Sequence, residues 1–275
     1  MKKTVLITGA TGAIGKATAM ELAKQNCGVI LMGRNAEKLL QVKQETIRDT
    51  QNNNIETVVA DLSEPKSIKQ AVAEIKSKHN SLNALVNVAA TFSKNKRENS
   101  QGNEYTFATN HLGPFILTNE LTDLLRSGKP ARVINVSAPS TTAINFEDIN
   151  GKKKYSSGFL GAFGASKMMN IMFTYALARR MEGTGVTTSV FHPGLVKSDL
   201  TKDMPKVLYH LFRLISSPPD KAAKMLSSLA IDNKYQNSNG KFFKFDGKEI
   251  QSNKYSYDQQ LQEKLWSLSE QYSAS

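Results

Sequence analysis

The first fifteen residues, MKKTVLITGATGAIG, constrain this chain more than any other stretch. Val5, Leu6 and Ile7 form a short apolar run that Thr8-Gly9 ends. Gly9, Gly12 and Gly15 then recur at three-residue intervals before a helical segment near Lys16. A buried strand that turns through glycines into a helix aims free backbone N–H groups, and the positive end of a helix dipole, at one point. Such a point suits an anion, a diphosphate above all. Side chains there would block the turn, the diphosphate and the helix–strand contact. The spacing differs from G-x-G-x-x-G, so the motif by itself also fits a purely structural strand–turn–helix.

Strand and helix signals alternate along the rest of the chain. Val29 to Met32, Thr57 to Ala60, Ala84 to Asn87, Arg132 to Val136, Thr187 to Phe191 and Phe242 to Phe245 read as strands. Between them come a helix carrying Leu39, Leu40 and Ile47, and one carrying Ile68, Val72 and Ile75 behind the start signal Ser63-Glu64-Pro65. Further helices are predicted from Asn103 to about Leu125, from Gly161 to Met181 and from Asp258 to about Ser269. This pattern predicts one α/β domain over residues 1–275, a doubly wound Rossmann domain with a mostly parallel sheet of roughly seven strands and helices on both faces. A length of 275 and a hydrophobic content of 40% suit a single domain of that kind. Met204 to Pro219 is amphipathic and basic, and residues 200–220 are expected to form a substrate lid rather than a membrane-surface helix.

The formal charge is +12, but the 36 basic residues are scattered and form no dense block. A solvated basic surface is the expectation, and no nucleic-acid partner. The single cysteine, Cys27, cannot make an internal disulfide, and no apolar run reaches membrane-spanning length. The first strand also starts too close to Met1 for a signal peptide. These features predict a cytoplasmic protein without an integral membrane segment. Four histidines and one cysteine show no ligand spacing, so no metal is expected.

At the end of the second strand of such folds, an acidic residue usually grips the adenosine ribose hydroxyls, whereas an arginine accommodates a 2′-phosphate. Here the strand ends Met32-Gly33-Arg34-Asn35, with the first carboxylate delayed to Glu37. A guanidinium suits phosphate, and Lys16 on the glycine turn could add charge. The expectation is NADP(H) rather than NAD(H).

With these residues in view, the chain resembles the short-chain dehydrogenase/reductase family over nearly its whole length, and within it the retinol-dehydrogenase-like group. The stretches that carry the resemblance are Thr8-Gly9-Ala10-Thr11-Gly12-Ala13-Ile14-Gly15, Asn110-His111-Leu112-Gly113-Pro114-Phe115, Leu177-Ala178-Arg179-Arg180, Gly183-Thr184-Gly185-Val186-Thr187-Thr188 and His192-Pro193-Gly194-Leu195-Val196-Lys197-Ser198. The resemblance implies a cofactor lined by Gly9, Thr11, Gly12, Ala13, Ile14 and Gly15. It implies Arg34 and Asn35 at the adenosine ribose, Asp61 and Leu62 beside the adenine, and Asn87 and Ala89 along the ribose side. Pro193, Gly194, Val196 and Ser198 would lie beside the nicotinamide, and Lys167 would hold the nicotinamide ribose.

The family's chemistry, by the same resemblance, is hydride transfer between nicotinamide C4 and an oxygen-bearing carbon. A tyrosine moves the oxygen's proton, and a lysine one helical turn later lowers its pKa and binds ribose. A serine after the fifth strand orients the substrate oxygen, and an asparagine completes a water relay. The tyrosine position falls on Phe163 and the serine position on Ala138, with Ser137 one residue early, whereas Asn110 and Lys167 stand. Ala13 and Ala90 stand where the family's commonest patterns carry glycine, and each methyl is expected to crowd the cofactor. Tyr175 has Arg179 four residues on, but lies about a third of a turn out of phase with Phe163. The cofactor-binding set is kept and the proton relay is lost.

A missing positioned acid/base costs about 10²–10⁴ in rate. Three readings follow. The chain is an oxidoreductase acting on a small apolar carbonyl, imine or enone by an atypical proton route, with Tyr155, Ser137, Ser140 or His111 as candidate donors. Alternatively it is a redox-silent NADP(H)-binding protein serving as sensor, scaffold or partner subunit. Or it is a disabled variant of an active enzyme. Tyr155 reads more readily as a surface-loop residue and His111 as helix packing. Phe159, Leu160, Phe163, Met168 and Met169 read as core, with an apolar substrate pocket as the alternative. The expected partner is a small molecule, and homo-oligomerisation is left open.

Overall fold

Strand residues that alternate between two buried faces must be covered on both sides, and this decides the architecture. In the computed structural model, which describes residues 2–156, 161–198, 200 and 214–274, seven strands form one sheet. They are β1 (Thr4–Thr8), β2 (Gly28–Gly33), β3 (Ile55–Val59), β4 (Ala84–Asn87), β5 (Ala131–Val136), β6 (Val186–His192) and β7 (Lys241–Lys244). Their order is β3-β2-β1-β4-β5-β6-β7, and every pairing is parallel. The fold is therefore a doubly wound Rossmann fold, with a wholly parallel sheet where a mostly parallel one was predicted.

Val5 and Ile7 point to one apolar layer and Leu6 to the other. Helices α1 (Ala13–Lys24) and α2 (Ala36–Thr50) cover the first layer, together with a helix Asp220–Ile231. On the other face lie α3 (Pro65–Lys78), α5 (Gly113–Glu120) and α7 (Ala162–Arg180), backed by the C-terminal helix Gln259–Ala274. The order reverses between β1 and β4, which opens a crevice at their carboxyl ends.

Three features depart from the sequence reading. The helix Asp220–Ile231 is not among its elements, although Met225, Leu226, Leu229 and Ile231 lie buried on it with Ala222, Ala223 and Ala230. It packs onto α1, and just beyond that helix Gln25 Nε2 donates to Ser227 Oγ at 2.6 Å. Leu40, read as part of the α2 core stripe, is half exposed. The helix expected from Asn103 to Leu125 is interrupted. It runs as α4 (Tyr105–Phe107), a π-helical turn Ala108–Leu112, α5, and after a break at Leu121, α6 (Thr122–Ser127). Pro114 brings no N–H to the Asn110 carbonyl four residues earlier. That carbonyl instead accepts Asn170 Nδ2 at 2.8 Å.

Most of the lid predicted over 200–220 lies outside the described residues, as do Phe159 and Leu160. Its described end is tied to the loop after β6. Lys197 N donates to the Ser217 carbonyl at 3.0 Å and Ser217 N to the Leu195 carbonyl at 2.9 Å. Among the described residues no helix is long and apolar enough to cross a membrane.

Candidate active site

The crevice is built from the end of β1 outward. Thr8 Oγ1 accepts the N–H groups of Val88 and Ala89, both at 3.1 Å, and so fastens the end of β4 to the glycine turn. Gly9 has a φ of +65°, and a Cβ there would stand 2.8 Å from Ala89 Cα. A Cβ at Gly15 would fall 2.3 Å from the Gly9 carbonyl oxygen, so α1 can approach the turn only through glycine. Gly12 is exposed, and a Cβ there would stand 3.3 Å from the Gly9 carbonyl oxygen. No side chain caps α1 and no carboxylate lies in its first turn. The N–H groups of Ala13, Ile14 and Gly15 thus present a dipole end to an incoming anion, with Thr11 and Ile14 half-buried at its margin.

The residues expected at the adenosine side are variously engaged. Arg34 is exposed, and its Nη1 donates to the hydroxyl of Tyr105, a residue the sequence reading did not single out. Asn35 caps α2, its Oδ1 accepting Lys38 N at 2.8 Å, so its side chain is committed to the helix rather than to a ligand. Lys16, expected to add charge beside the glycine turn, is paired with Glu45 on α2. Asp61 Oδ1 accepts Ser63 N and Ser63 Oγ at 2.9 and 2.7 Å, which leaves Oδ2 without a protein partner among the described residues. The Leu62 side chain is buried in the core beside α5, so only its backbone can face the crevice.

Asn87 is buried, and its Nδ2 donates to Asn135 Oδ1 at 2.8 Å. Asn135 Nδ2 in turn donates to Thr174 Oγ1 at 2.9 Å, anchoring β4 and β5 to α7. Asn87 Oδ1 is left buried with no partner among the described residues. An acceptor in that state costs about 1–3 kcal/mol unless a ligand satisfies it. On the loop after β6, expected beside the nicotinamide, Gly194 has a φ of +74° with Phe245 packed where a Cβ would be, and Pro193, Val196 and Ser198 are half-buried.

The positions expected to be catalytic meet at the start of α7. Lys167 is buried, its Nζ lying 5.2 Å from the Phe163 ring centroid and donating to the Val136 carbonyl at 3.3 Å. Burial with no carboxylate nearby pushes its pKa down to about 8. Phe163 also meets the Phe92 ring edge-on at 5.5 Å. Ala138 is half-buried on the loop after β5. Ser137 Oγ donates to the Lys167 carbonyl at 2.8 Å, and Ser140 Oγ to the Gly164 carbonyl at 2.8 Å, so both hydroxyls are spent on α7.

The other candidate donors are placed elsewhere or occupied. Tyr155 is half-buried with its hydroxyl 3.4 Å from the Ser93 carbonyl, and burial and the Glu104 carboxylate push its phenol pKa up. His111 is enclosed by Phe107, Phe115 and Phe173, with Nε2 2.8 Å from Ser269 Oγ, and burial pushes its pKa down to about 4. It is a neutral core histidine. Asn110 lies within the π-helical turn, its Oδ1 accepting Thr91 N at 2.7 Å and its Nδ2 donating to the Thr91 carbonyl and Ser166 Oγ. Its amide clamps the strand-four loop to α7. His192 was not singled out; it ends β6, half-buried, with burial and the nearby Lys244 and Lys167 charges holding its pKa down against a Ser137 backbone hydrogen bond.

A family model described as "short chain dehydrogenase" matches residues 3–207. Retinol dehydrogenase 12 of Mus musculus is 34% identical over 271 residues, spanning 97% of this chain and 85% of the relative. Retinol dehydrogenase 14 of Mus musculus is 35% identical over 286 residues, spanning 98% and 85%. Among solved structures, an uncharacterised protein from Mycobacterium paratuberculosis superposes with a TM-score of 0.78 at 26% identity, over 99% of this chain and 94% of that one. L-Sorbose reductase from Gluconobacter frateurii, complexed with NADPH and L-sorbose, shares the fold at 18% identity and a TM-score of 0.71, covering 92% and 98%. The glycine turn, the parallel sheet that it caps and these likenesses agree: the chain belongs to the short-chain dehydrogenase family of oxidoreductases, close to the retinol-dehydrogenase-like group.

Proposed function

We propose that this protein is an NADP(H)-dependent oxidoreductase that exchanges hydride with a small apolar carbonyl, imine or enone without a tyrosine acid. The observation that carries this reading is the glycine turn: Gly9 and Gly15 let β1, the turn and the start of α1 pack backbone to backbone, and the helix end this brings to the crevice is one that no side chain caps. The cofactor would supply a hydride at its nicotinamide carbon.

The chain's own residues supply the rest. The α1 N-terminus binds negative charge, and Arg34 adds a cation at the ribose end. Lys167 donates from Nζ to a ribose hydroxyl and holds a positive charge near the reacting carbon. Phe163, Phe92 and Met168 exclude water. With Ser137 and Ser140 turned to backbone carbonyls, neither serine hydroxyl is free to donate to a substrate oxygen. Substrates whose hydride acceptor carbon needs no simultaneous oxygen protonation, such as iminium ions or conjugated alkenes, are therefore favoured over simple ketones.

Titration with NADPH and NADH, followed by a screen of ketones, imines and enones with the tighter binder, tests the reading. Steady NADPH consumption with imine or enone supports it. Tight NADPH binding with no turnover on any class replaces it with the redox-silent reading, and no affinity for either nucleotide removes both.

A further inference from the structure

Arg34 is not the sole guanidinium at the ribose end of the crevice. Arg97, on the loop after β4, lies over the ring of Tyr105 with its guanidinium carbon 4.5 Å from the ring centroid, while Arg34 Nη1 donates to the hydroxyl of that ring. One phenol therefore holds two cations, one on its face and one at its tip. The arrangement is built from the backbone as well: Tyr105 N donates to the Arg97 carbonyl at 2.8 Å, which fixes the loop against the start of α4.

The same loop borders the adenine end. Asn99 Nδ2 donates to the Ser63 carbonyl at 2.6 Å, and Ser100 is bonded to Glu64, on the turn that Asp61 opens. The carboxylates of this region are engaged elsewhere. Glu98 pairs with Lys96, and Glu104 caps α4 through the N–H groups of Thr106 and Phe107. Among the described residues, neither Arg34 nor Arg97 has an ion-pair partner. Two unpaired guanidiniums on one side chain repel each other, and an anion between them reverses the sign of that interaction.

We propose that Arg97 is a second phosphate-binding residue, set beside Arg34 by Tyr105 so that the pair grips the adenosine 2′-phosphate of NADP(H). This rests on the NADP(H) reading above and adds to it a specificity residue from a different loop. A planar guanidinium on an aromatic face keeps its N–H edge free for phosphate oxygens. Arg97 discriminates NADP(H) from NAD(H) and leaves the diphosphate and nicotinamide sites untouched.

The test measures dissociation constants of NADPH, NADH, 2′,5′-ADP and 5′-AMP for the wild type, Arg97→Gln and Arg34→Gln. Arg97 is exposed, so its variant is expected to fold. Losing one charge-assisted contact weakens NADPH and 2′,5′-ADP about tenfold and leaves NADH and 5′-AMP within about twofold. If Arg34→Gln weakens 2′,5′-ADP while Arg97→Gln does not, the assignment of Arg97 is wrong and the NADP(H) reading stands. If the wild type binds 2′,5′-ADP no more tightly than 5′-AMP, the NADP(H) reading fails and this inference fails with it.

Discussion

Replacing Lys167 by methionine should stabilise the protein at neutral pH. Lys167 is almost wholly buried, and its folded pKa of about 8 lies below the ordinary 10.5 of an exposed lysine. The folded state therefore holds its proton less tightly than the unfolded chain does. Below pH 8 both states carry the charge, and folding bears the full desolvation cost, about 3 kcal/mol at 1.36 kcal/mol per tenfold. As pH rises from 8 to 10.5 the folded lysine loses its proton first, and stability climbs until the cost has vanished.

Methionine matches the aliphatic stem and removes the charge. It forfeits the bond to the Val136 carbonyl, worth about 1 kcal/mol. The expected net gain for Lys167→Met is about 2 kcal/mol at pH 7, turning into a loss of about 1 kcal/mol once lysine is neutral in both states. Urea unfolding of both nucleotide-free proteins at pH 7 and pH 10 measures this, and the background titration of other groups cancels in the difference. A variant no more stable than wild type at pH 7, or a gap that stays constant up to pH 10, would refute the reasoning. NADPH affinity should fall in the same variant, because the ribose loses its cation.

Three further outcomes are expected. Gly15→Ala puts a methyl 2.3 Å from the Gly9 carbonyl oxygen, so the turn must shift; stability should drop by about 1–3 kcal/mol and NADPH binding should fall below detection in a fluorescence titration. Phe163→Tyr with Ala138→Ser sets a phenol on the ring that already faces Lys167 Nζ and restores the lost loop hydroxyl, so ketone reduction should rise about 10²–10⁴-fold in an NADPH-oxidation assay. His111, neutral with a folded pKa of about 4, makes stability fall as pH drops from 6.5 towards 4; chemical unfolding of His111→Gln should lack that component, about 3 kcal/mol at its full extent.

The central strands were readable because burial on both faces leaves little else for apolar runs such as Val5-Leu6-Ile7 or Ala84-Leu85-Val86 to do. The glycine spacing likewise announced its own geometry, since Gly9 and Gly15 occupy positions where a Cβ would meet backbone. That Phe163 and Ala138 stand at the positions of the family's tyrosine and serine is a reading from spacing and resemblance alone. Local chemistry sufficed wherever a residue's neighbours in sequence are also its neighbours in space.

Tertiary contacts decided what sequence could not. Ser137, Ser140, His111 and Tyr155 were all candidate proton donors, with Tyr155 read more readily as a surface-loop residue and His111 as helix packing, until their partners came from α7, the C-terminal helix and the loop after β4. Asn35 and Lys16 looked available for a ligand, yet α2 uses both. Tyr105 and Arg97 carried no motif, and only the fold brings them to Arg34, 71 residues from Tyr105 in sequence. A hydrogen bond or a charge contact depends on which atoms lie within a few ångströms, and over such separations that is set by packing of the whole sheet rather than by any local pattern.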